Sequence, residues 1–277
     1  MPTVRQPAVA GRFYPERASV LSRELDTLLE AARPAGVAPG GPLKAMIVPH
    51  AGFSYSGPTA ARGYALLEPV RDRIRRVVLI GPAHYIAFHG LALSGADTFA
   101  TPLGEVALDG NLRDALTAAH RARVLEAPHG PEHSLEVQLP FLQWVLDEFE
   151  LLPVLVGDAG TEEVAEVVRA CWGGPETLVL ISSDLCHYLP YAQAQAMDAD
   201  TLRRILALAE PLPRPSACGA RGIDGLLRVA RERRLRPHVI DHRTSGDTAG
   251  DRAAVVGYAA ISFTEEIEVA SDEHQAE

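Results

Sequence analysis

The sequence predicts an α/β fold, a three-layer α/β/α sandwich built around a mostly parallel central sheet. Short, continuous apolar runs alternate with longer segments of helical period, and such runs are typical of strands that are buried on both faces of a sheet. The size of the chain agrees with this class, because 277 residues with 47% hydrophobic content provide enough apolar material for one substantial core.

Four apolar runs are predicted to form the core strands. They cover residues 43–48, 76–80, 151–156 and 177–181, and a fifth strand is predicted at 253–263. Helices are predicted at 18–32, 56–68, 134–149, 161–172, 191–209 and 220–234. Pro140 is expected to kink the helix at 134–149. Pro102 and Gly104 separate two β-prone pieces, so residues 99–109 are predicted to form an excursion with a hairpin.

No internal repeat or long linker divides the chain, so residues 1–263 are predicted to form a single domain. Residues 264–277 are predicted to be a disordered acidic tail, because six of the 36 acidic residues and no Lys or Arg follow Phe263. Much of the formal net charge of −10 is therefore expected to lie in this tail.

The composition argues against several classes of partner. Lys44 is the only lysine, and the basic residues form no stripe, so nucleic-acid binding is not expected. No apolar run reaches the length of a membrane span, and the N-terminus lacks the pattern of an export signal. The 3 cysteines are an odd number without paired spacing, which argues against a disulfide framework and predicts at least one free thiol and a reducing compartment. The expectation is a cytoplasmic protein without membrane or nucleic-acid partners.

Polar residues collect at the ends of three predicted strands. His50 follows the first strand, His84 follows the second, and Asp184 and His187 follow the fourth. Because ligands of open parallel sheets bind outside the carboxyl ends of the strands, these side chains are expected to converge on one edge. Histidines in rigid strand-to-helix turns are suited to metal binding.

The segment from Ser183 to His187 allows more than one chemistry. A Ser183, His187 and Asp184 triad is one alternative, although the Gly-x-Ser-x-Gly motif of a nucleophile elbow is absent. Two other roles need fewer assumptions: Asp184 as the acid that orients a histidine, or His187 as a general base near a metal. A structural alternative is that Ser183 or Asp184 caps the following helix. No phosphate-binding glycine motif is present, which argues against nucleotide chemistry.

Two further segments carry candidate residues. Ser134 and Glu136 fit the start of a helix, and Glu132 and His133, just outside it, can support a site or bind substrate. Cys218 at a helix N-terminus can be a buried small residue, a metal ligand or a redox thiol, and its spacing does not decide among them. The remaining histidines are expected to be solvated: His89, His120, His129, His238, His242 and His274.

Nine motifs, taken in order, resemble those of the Memo family, whose bacterial and archaeal members are also called AmmeMemoRadiSam system protein B. The motifs are PAVAGRFYP (7–15), PHAGFSYSG (49–57), GPAH (81–84), TPLG (101–104), EHSLE (132–136), SSDLCHY (182–188), CG (218–219), SGD (245–247) and VGY (256–258). The resemblance spans nearly the whole chain. It implies a fold similar to that of LigB-type class III extradiol dioxygenases, with a metal site at the end of the central sheet.

The resemblance also implies roles for individual residues. His50, His84 and Cys218 are expected to be the metal ligands, and His187 the acid/base residue with Asp184 beside it. Iron(II) is the expected cofactor, with copper as the alternative, because a sulfur ligand in place of a carboxylate raises the affinity for copper(I). The expected substrate-binding residues are Tyr55, Glu132, His133, Ser245 and Asp247.

Three hypotheses about function follow. The first is a metal-dependent redox enzyme related to extradiol dioxygenases that acts on an unknown small molecule. The second is a non-catalytic binding or scaffold protein that uses the former active-site cleft. The third, implied by the bacterial family name, is a pathway shared with a radical-SAM enzyme and an AMMECR1-type protein.

Overall fold

A nine-stranded sheet forms the centre of the protein in residues 2–32 and 41–266, the part of the chain that this computed structural model describes. The strands in these ranges are β1 (Val4–Arg5), β2 (Leu43–Val48), β3 (Arg76–Pro82), β4 (Leu91–Leu93), β5 (Thr98–Thr101), β6 (Gly104–Ala107), β7 (Arg123–Val124), β8 (Glu150–Val156), β9 (Thr177–Ser182), β10 (His187–Leu189), β11 (Arg236–Thr244) and β12 (Val255–Thr264). Strands β1, β5 and β6 form a separate three-stranded sheet, and the other nine form the central one. The helices are α1 (Ala18–Ala32), α2 (Phe53–Tyr64), α3 (Gly110–Ala118), α4 (Glu126–His129), α5 (Leu139–Val145), α6 (Thr161–Ala170), α7 (Tyr191–Leu206) and α8 (Ala220–Glu232).

The sheet has a parallel centre with antiparallel strands beside it. Its order is β10-β12-β2-β9-β3-β8-β4-β7, and β11 pairs with β12. The four central strands β2, β9, β3 and β8 run parallel, whereas β12 joins β2 and β4 joins β8 in the antiparallel sense. This mixed sheet places the carboxyl ends of β2, β3 and β9 side by side at one edge.

Helices cover both faces of the sheet, which confirms the predicted three-layer α/β/α fold. Alternate residues of β3 point to opposite faces: Val78 packs with α6 and α8, and Val77 packs with α1, α2 and α5. This two-sided burial explains why the central strands are apolar throughout. On α1, Leu21, Leu25 and Leu29 are buried at helical spacing.

The predicted core strands lie at the expected places, and the predicted hairpin forms from β5 and β6. Gly104, at the turn, has φ +126, a conformation that favours glycine. The prediction for residues 134–149 is wrong in extent and shape. A 3₁₀ turn (Glu136–Gln138) leads into the short helix α5, and Pro140 lies in the first turn of α5. A proline there needs no backbone N–H, so it does not kink the helix.

Two features near the C-terminus differ from the sequence prediction. Strand β11 was not predicted, because its many polar residues give no continuous apolar run. In the structure it is a half-buried strand that pairs antiparallel with β12. Thr264, the first residue of the predicted tail, is buried and ends β12. Glu266 forms an ion pair with Arg236, and the rest of the predicted tail lies outside the described residues. No helix in the described ranges is long and apolar enough to cross a membrane.

Candidate metal centre

The turns after β2, β3 and β9 bring the predicted strand-end residues together. His50 follows β2, His84 follows β3, and the two imidazole ring centroids lie 5.2 Å apart. Asp184 lies beyond the end of β9, and its Oδ1 accepts a hydrogen bond from the His50 backbone N–H at 2.7 Å. Residues separated by 134 positions are therefore in direct contact, as the parallel order of β2, β9 and β3 requires.

A cavity of about 810 Å³ opens over this edge of the sheet, within the range of small-molecule binding sites. His50, His84, His133, Asp184 and His187 line it. The other lining residues are Phe13, Ala51, Gly52, Tyr55, Tyr85, Tyr188, Ser245, Gly250, Asp251, Ala253, Ala254, Val256 and Tyr258. The cavity therefore combines a group of imidazoles with an aromatic wall.

Glu132 holds His84 in one orientation. The buried Glu132 carboxylate accepts from the His84 backbone N–H at 2.6 Å and contacts His84 Nδ1 at 2.9 Å. Although burial opposes ionisation, the hydrogen bonds from His84 and Ser134 lower the pKa of Glu132 to about 2. An ionised carboxylate can only accept, so His84 Nδ1 is the donor, and in the neutral imidazole Nε2 carries the lone pair. This is the usual partnership of a carboxylate with a metal-binding histidine.

His50 is buried and neutral. Its Nδ1 lies 2.8 Å from the hydroxyl of Ser182, the last residue of β9. Burial, with smaller contributions from neighbouring groups such as His84, lowers the pKa of His50 to about 3. The imidazole therefore stays uncharged at neutral pH, which is the form that binds a metal ion.

His133 completes a group of three imidazoles. One ligand nitrogen from each of His50, His84 and His133 lies within 4.8 Å of the others. Burial and the nearby His50 lower the pKa of His133 to about 4. Its ring stacks on that of His84 at a centroid distance of 4.7 Å. The buried His133 Nδ1 makes no hydrogen bond but lies 3.3 Å from the Glu132 carboxylate, so Glu132 contacts both His84 and His133.

His133 is predicted from the sequence as a substrate-binding residue, but the structure groups it with His50 and His84. The available signal was its position beside Glu132, since a carboxylate that orients one histidine can hold a second one nearby. Only the path of the chain around Glu132, whose Oε1 also accepts from the His133 backbone N–H at 2.9 Å, places both imidazoles in one group.

Cys218 approaches the same group from the start of α8. Its Sγ lies 3.4 Å from His50 Nε2 and accepts from the Asp184 backbone N–H at 3.3 Å. Nitrogen and sulfur ligands of one tetrahedral ion lie about 3.6 Å apart, so this distance suits a shared metal. Burial raises the pKa of the Cys218 thiol to about 12, and metal binding would have to displace its proton. The assignment of Cys218 as a ligand stays a prediction.

The residues beyond β9 have separate environments. His187 lines the cavity, and the next residue, Tyr188, has φ +57 and is 76% exposed. Burial raises the pKa of Asp184. Ser183 is fully buried, and its hydroxyl donates to the Asp184 carbonyl at 2.8 Å. This geometry excludes Ser183 as a nucleophile facing the cavity, so the triad alternative is wrong.

Three predicted substrate-binding residues occupy different positions. Tyr55 is 42% exposed at the cavity mouth, near Tyr85 and Tyr188. Ser245 lines the cavity, and its Oγ accepts from the Val256 backbone N–H at 3.1 Å. Asp247 is not among the residues that line the cavity, and its carboxylate accepts from the Tyr191 hydroxyl at 2.7 Å. It closes the turn after β11 by accepting from Thr244.

The N-terminal segment supports the turn that carries Glu132 and His133. Arg5 forms a buried ion pair with Glu136 and donates to the Glu132 carbonyl at 2.6 Å. Glu136 also accepts from the Tyr14 hydroxyl at 2.6 Å. Phe13 packs on the His133 ring at a centroid distance of 4.8 Å. The sequence predicted Glu136 only as a first-turn residue, because these partners come from a distant part of the chain.

The prediction of solvated histidines is right for His89 and His120, which are exposed. It is wrong for His129, which is buried with Nε2 3.2 Å from the Ala92 carbonyl. It is also wrong for His242, whose Nε2 lies 3.1 Å from the buried Asp198 carboxylate. His238 is half-buried, and His274 lies outside the described residues.

Comparison with known proteins agrees with this architecture. The family model described as "Memo-like protein" matches residues 5–262. A MEMO1 family protein of Archaeoglobus fulgidus is 35% identical, covering 94% of this chain and 99% of its own. Relatives from Methanosarcina barkeri (37% identical) and Aquifex aeolicus (34%) cover 93% and 94% of this chain and 99% of their own.

A solved structure shares the fold at low sequence identity. The crystal structure of an uncharacterised protein from Escherichia coli K12 matches with a TM-score of 0.51 at 13% identity, covering 79% of this chain and 99% of that one. At this identity the match supports the fold alone.

Proposed function

The chain belongs to the Memo family, and on this premise we propose that it is a metal-binding redox enzyme that acts on a small organic molecule. The observation that carries the proposal is the group of three imidazoles at the end of the sheet, with ligand nitrogens within 4.8 Å of one another. In the proposal iron(II) is the resident metal and copper the alternative, because imidazole suits both.

His50 and His84 are the constant pair of ligands in this proposal, and two side chains compete for the third position. His133 offers a third imidazole nitrogen within 4.8 Å of those of His50 and His84. Cys218 offers a sulfur 3.4 Å from His50 Nε2. Cobalt(II) titration of His133→Gln and Cys218→Ser separates them, since a thiolate ligand adds an intense near-ultraviolet charge-transfer band that Cys218→Ser would lose.

The chain's own residues supply the rest of the chemistry. A bound redox metal would exchange electrons with the substrate or with oxygen. His187 faces the same cavity and is placed to take or give a proton, the role suited to imidazole near neutral pH. Tyr55, Tyr85 and Tyr188 provide aromatic surface at the mouth against which a flat organic molecule can pack.

Elemental analysis of protein purified under nitrogen tests the proposal. We expect about one equivalent of iron or copper in the wild-type protein, and loss of most of it in His50→Ala and His84→Ala. His89→Ala is the matched control, because the His89 side chain is 88% exposed. The proposal fails if no redox metal copurifies or rebinds, or if both ligand variants keep full binding.

A second candidate function is a non-catalytic binding or scaffold protein that uses the same cleft. The exposed tyrosines favour it, because exposed aromatic residues at a cleft are typical of binding surfaces. Oxygen uptake with a panel of catechols, and with ascorbate as reductant, distinguishes the two functions. A binding protein shows no uptake above that of His187→Ala, whereas the proposed enzyme does.

The proposal includes a cellular setting. The 3 cysteines form no disulfide among the described residues, which is consistent with a reducing cytoplasm. A radical-SAM enzyme and an AMMECR1-type protein are the pathway partners that the family resemblance suggests. Copurification of the tagged protein with either one would support this part of the proposal.

A further inference from the structure

We propose that Ser182, held by Gln138, is a positioning residue that sets the tautomer of His50, so that the Nε2 lone pair faces the imidazole group before any metal arrives. The inference rests on the proposed metal site for its purpose. Its support is a series of buried hydrogen bonds in which the donor of one bond determines which atom must donate in the next bond.

The chain of bonds starts at the Pro49 carbonyl, which can only accept. Gln138 lies fully buried beside it, with Nε2 at 2.9 Å from the Pro49 oxygen. The amide nitrogen must therefore face Pro49, and Oε1 faces the Tyr64 hydroxyl, which donates at 2.8 Å. The two ends of the Gln138 amide therefore cannot exchange places.

Ser182 receives the second hydrogen of that amide. Gln138 Nε2 donates to Ser182 Oγ at 2.7 Å, and Ser182 Oγ donates its single hydrogen to the Ser134 carbonyl at 2.6 Å. The remaining contact of Ser182 Oγ is with His50 Nδ1 at 2.8 Å. Because the hydroxyl hydrogen is already used, Oγ can only accept there, and His50 Nδ1 must donate.

A neutral imidazole with its proton on Nδ1 has the lone pair on Nε2. Nε2 is the atom of His50 that lies 3.4 Å from Cys218 Sγ, on the side of the candidate ligands. In the neutral form of His84, the ionised Glu132 imposes the same tautomer. Two different hydrogen-bond acceptors, the Glu132 carboxylate and the Ser182 hydroxyl, thus direct the Nε2 lone pairs of His84 and His50 toward the candidate metal position.

The tautomer can be measured directly in the metal-free protein. Long-range ¹H–¹⁵N NMR of protein labelled at histidine distinguishes protonated from unprotonated ring nitrogens, and His50→Gln identifies the His50 signals. At pH 7.5 we expect protonated Nδ1 and bare Nε2 in the wild-type protein. We expect a mixture of both tautomers in Ser182→Ala, and a return toward the wild-type pattern in Ser182→Thr, which keeps the hydroxyl.

Tyr64→Phe is the matched control. It removes one buried hydrogen bond from the same network, but the Pro49 carbonyl still orients the Gln138 amide, so the His50 signals should not change. The inference is overturned if wild-type His50 carries its proton on Nε2, or if folded Ser182→Ala keeps the wild-type tautomer. The wild-type spectrum alone is decisive if Ser182→Ala does not fold.

Metal titration separates the failure of this inference from that of the proposed function. With cobalt(II) alone under nitrogen, Ser182→Ala should bind about 10–100-fold more weakly than wild type, and Tyr64→Phe within about twofold of wild type. If wild type binds no metal while its His50 has the Nδ1–H tautomer, the metal proposal fails and the tautomer assignment stands. If wild type binds metal but Ser182→Ala binds equally well, the positioning role fails.

Discussion

At the scale of single residues, the environment of each histidine determines whether it can act as a ligand. Burial keeps His50 and His133 neutral, and Glu132 orients His84, whereas His89 and His120 are exposed to solvent away from this group. The same residue type therefore has different roles in one chain. Glu132 is central because its two oxygens reach His84, His133 and Ser134 together.

Replacing Glu132 by Gln should weaken the site without changing its shape. The amide retains the size of the carboxylate, but it offers one acceptor oxygen and cannot compel His84 Nδ1 to donate. We expect the affinity for cobalt(II) to fall about 10–100-fold, measured by titration under nitrogen. Glu105→Gln, on the exposed β6, is the control and should bind like wild type. Unchanged affinity in Glu132→Gln would contradict the orienting role.

At the scale of elements, the turn between α4 and α5 is stabilised by the distant N-terminal segment. Arg5 and Glu136 form an ion pair with side chains 5% and 0% exposed. Breaking a buried pair by removing one partner leaves an uncompensated charge. The position of His133 therefore depends on residues near the start of the chain.

Arg5→Met should destabilise the protein by about 3–5 kcal/mol, because the Glu136 carboxylate loses its buried counter-charge. Chemical denaturation measures the free energy of unfolding. Arg236→Met removes an exposed pair with Glu266 and should change the stability by less than about 1 kcal/mol. Equal effects of the two variants would show that the Arg5 pair contributes no more than a surface pair.

At the scale of the whole molecule, buried histidines link folding to pH. Burial lowers the pKa of His129 to about 4, while the unfolded chain has an ordinary histidine pKa of about 6.5. Between these values the unfolded state binds the extra proton, so the free energy of unfolding falls as pH decreases. His50 and His133, with depressed pKa values, act in the same direction. The raised pKa of Asp184 acts in the opposite one.

His129→Gln should therefore flatten the pH dependence of stability in the metal-free protein. Between pH 6.5 and 4 we expect the slope of the unfolding free energy to decrease by about 1 kcal/mol per pH unit. Denaturant titrations at several pH values measure this slope. His120→Gln, at an exposed position, should leave it unchanged. A wild-type slope in His129→Gln would contradict the assigned pKa.

The sequence by itself determined the fold class and the edge where polar residues collect. Apolar runs that are buried on both faces identify central strands, and His50 and His84 each lie two residues after the end of one. This information is local, because periodicity and strand ends can be read without knowing the partners.

Only the tertiary structure decided which atoms meet. The grouping of His133 with His50, the burial of His129 and the turning of Asp247 toward Tyr191 all depend on contacts between distant segments. The tautomer of His50 depends on Gln138, which is 88 positions away along the chain. Hydrogen bonds are short and directional, so they form only when two atoms lie within a fraction of an ångström of the required positions. The packing of helices and strands sets those atomic positions, and the pattern of residue types along the chain does not.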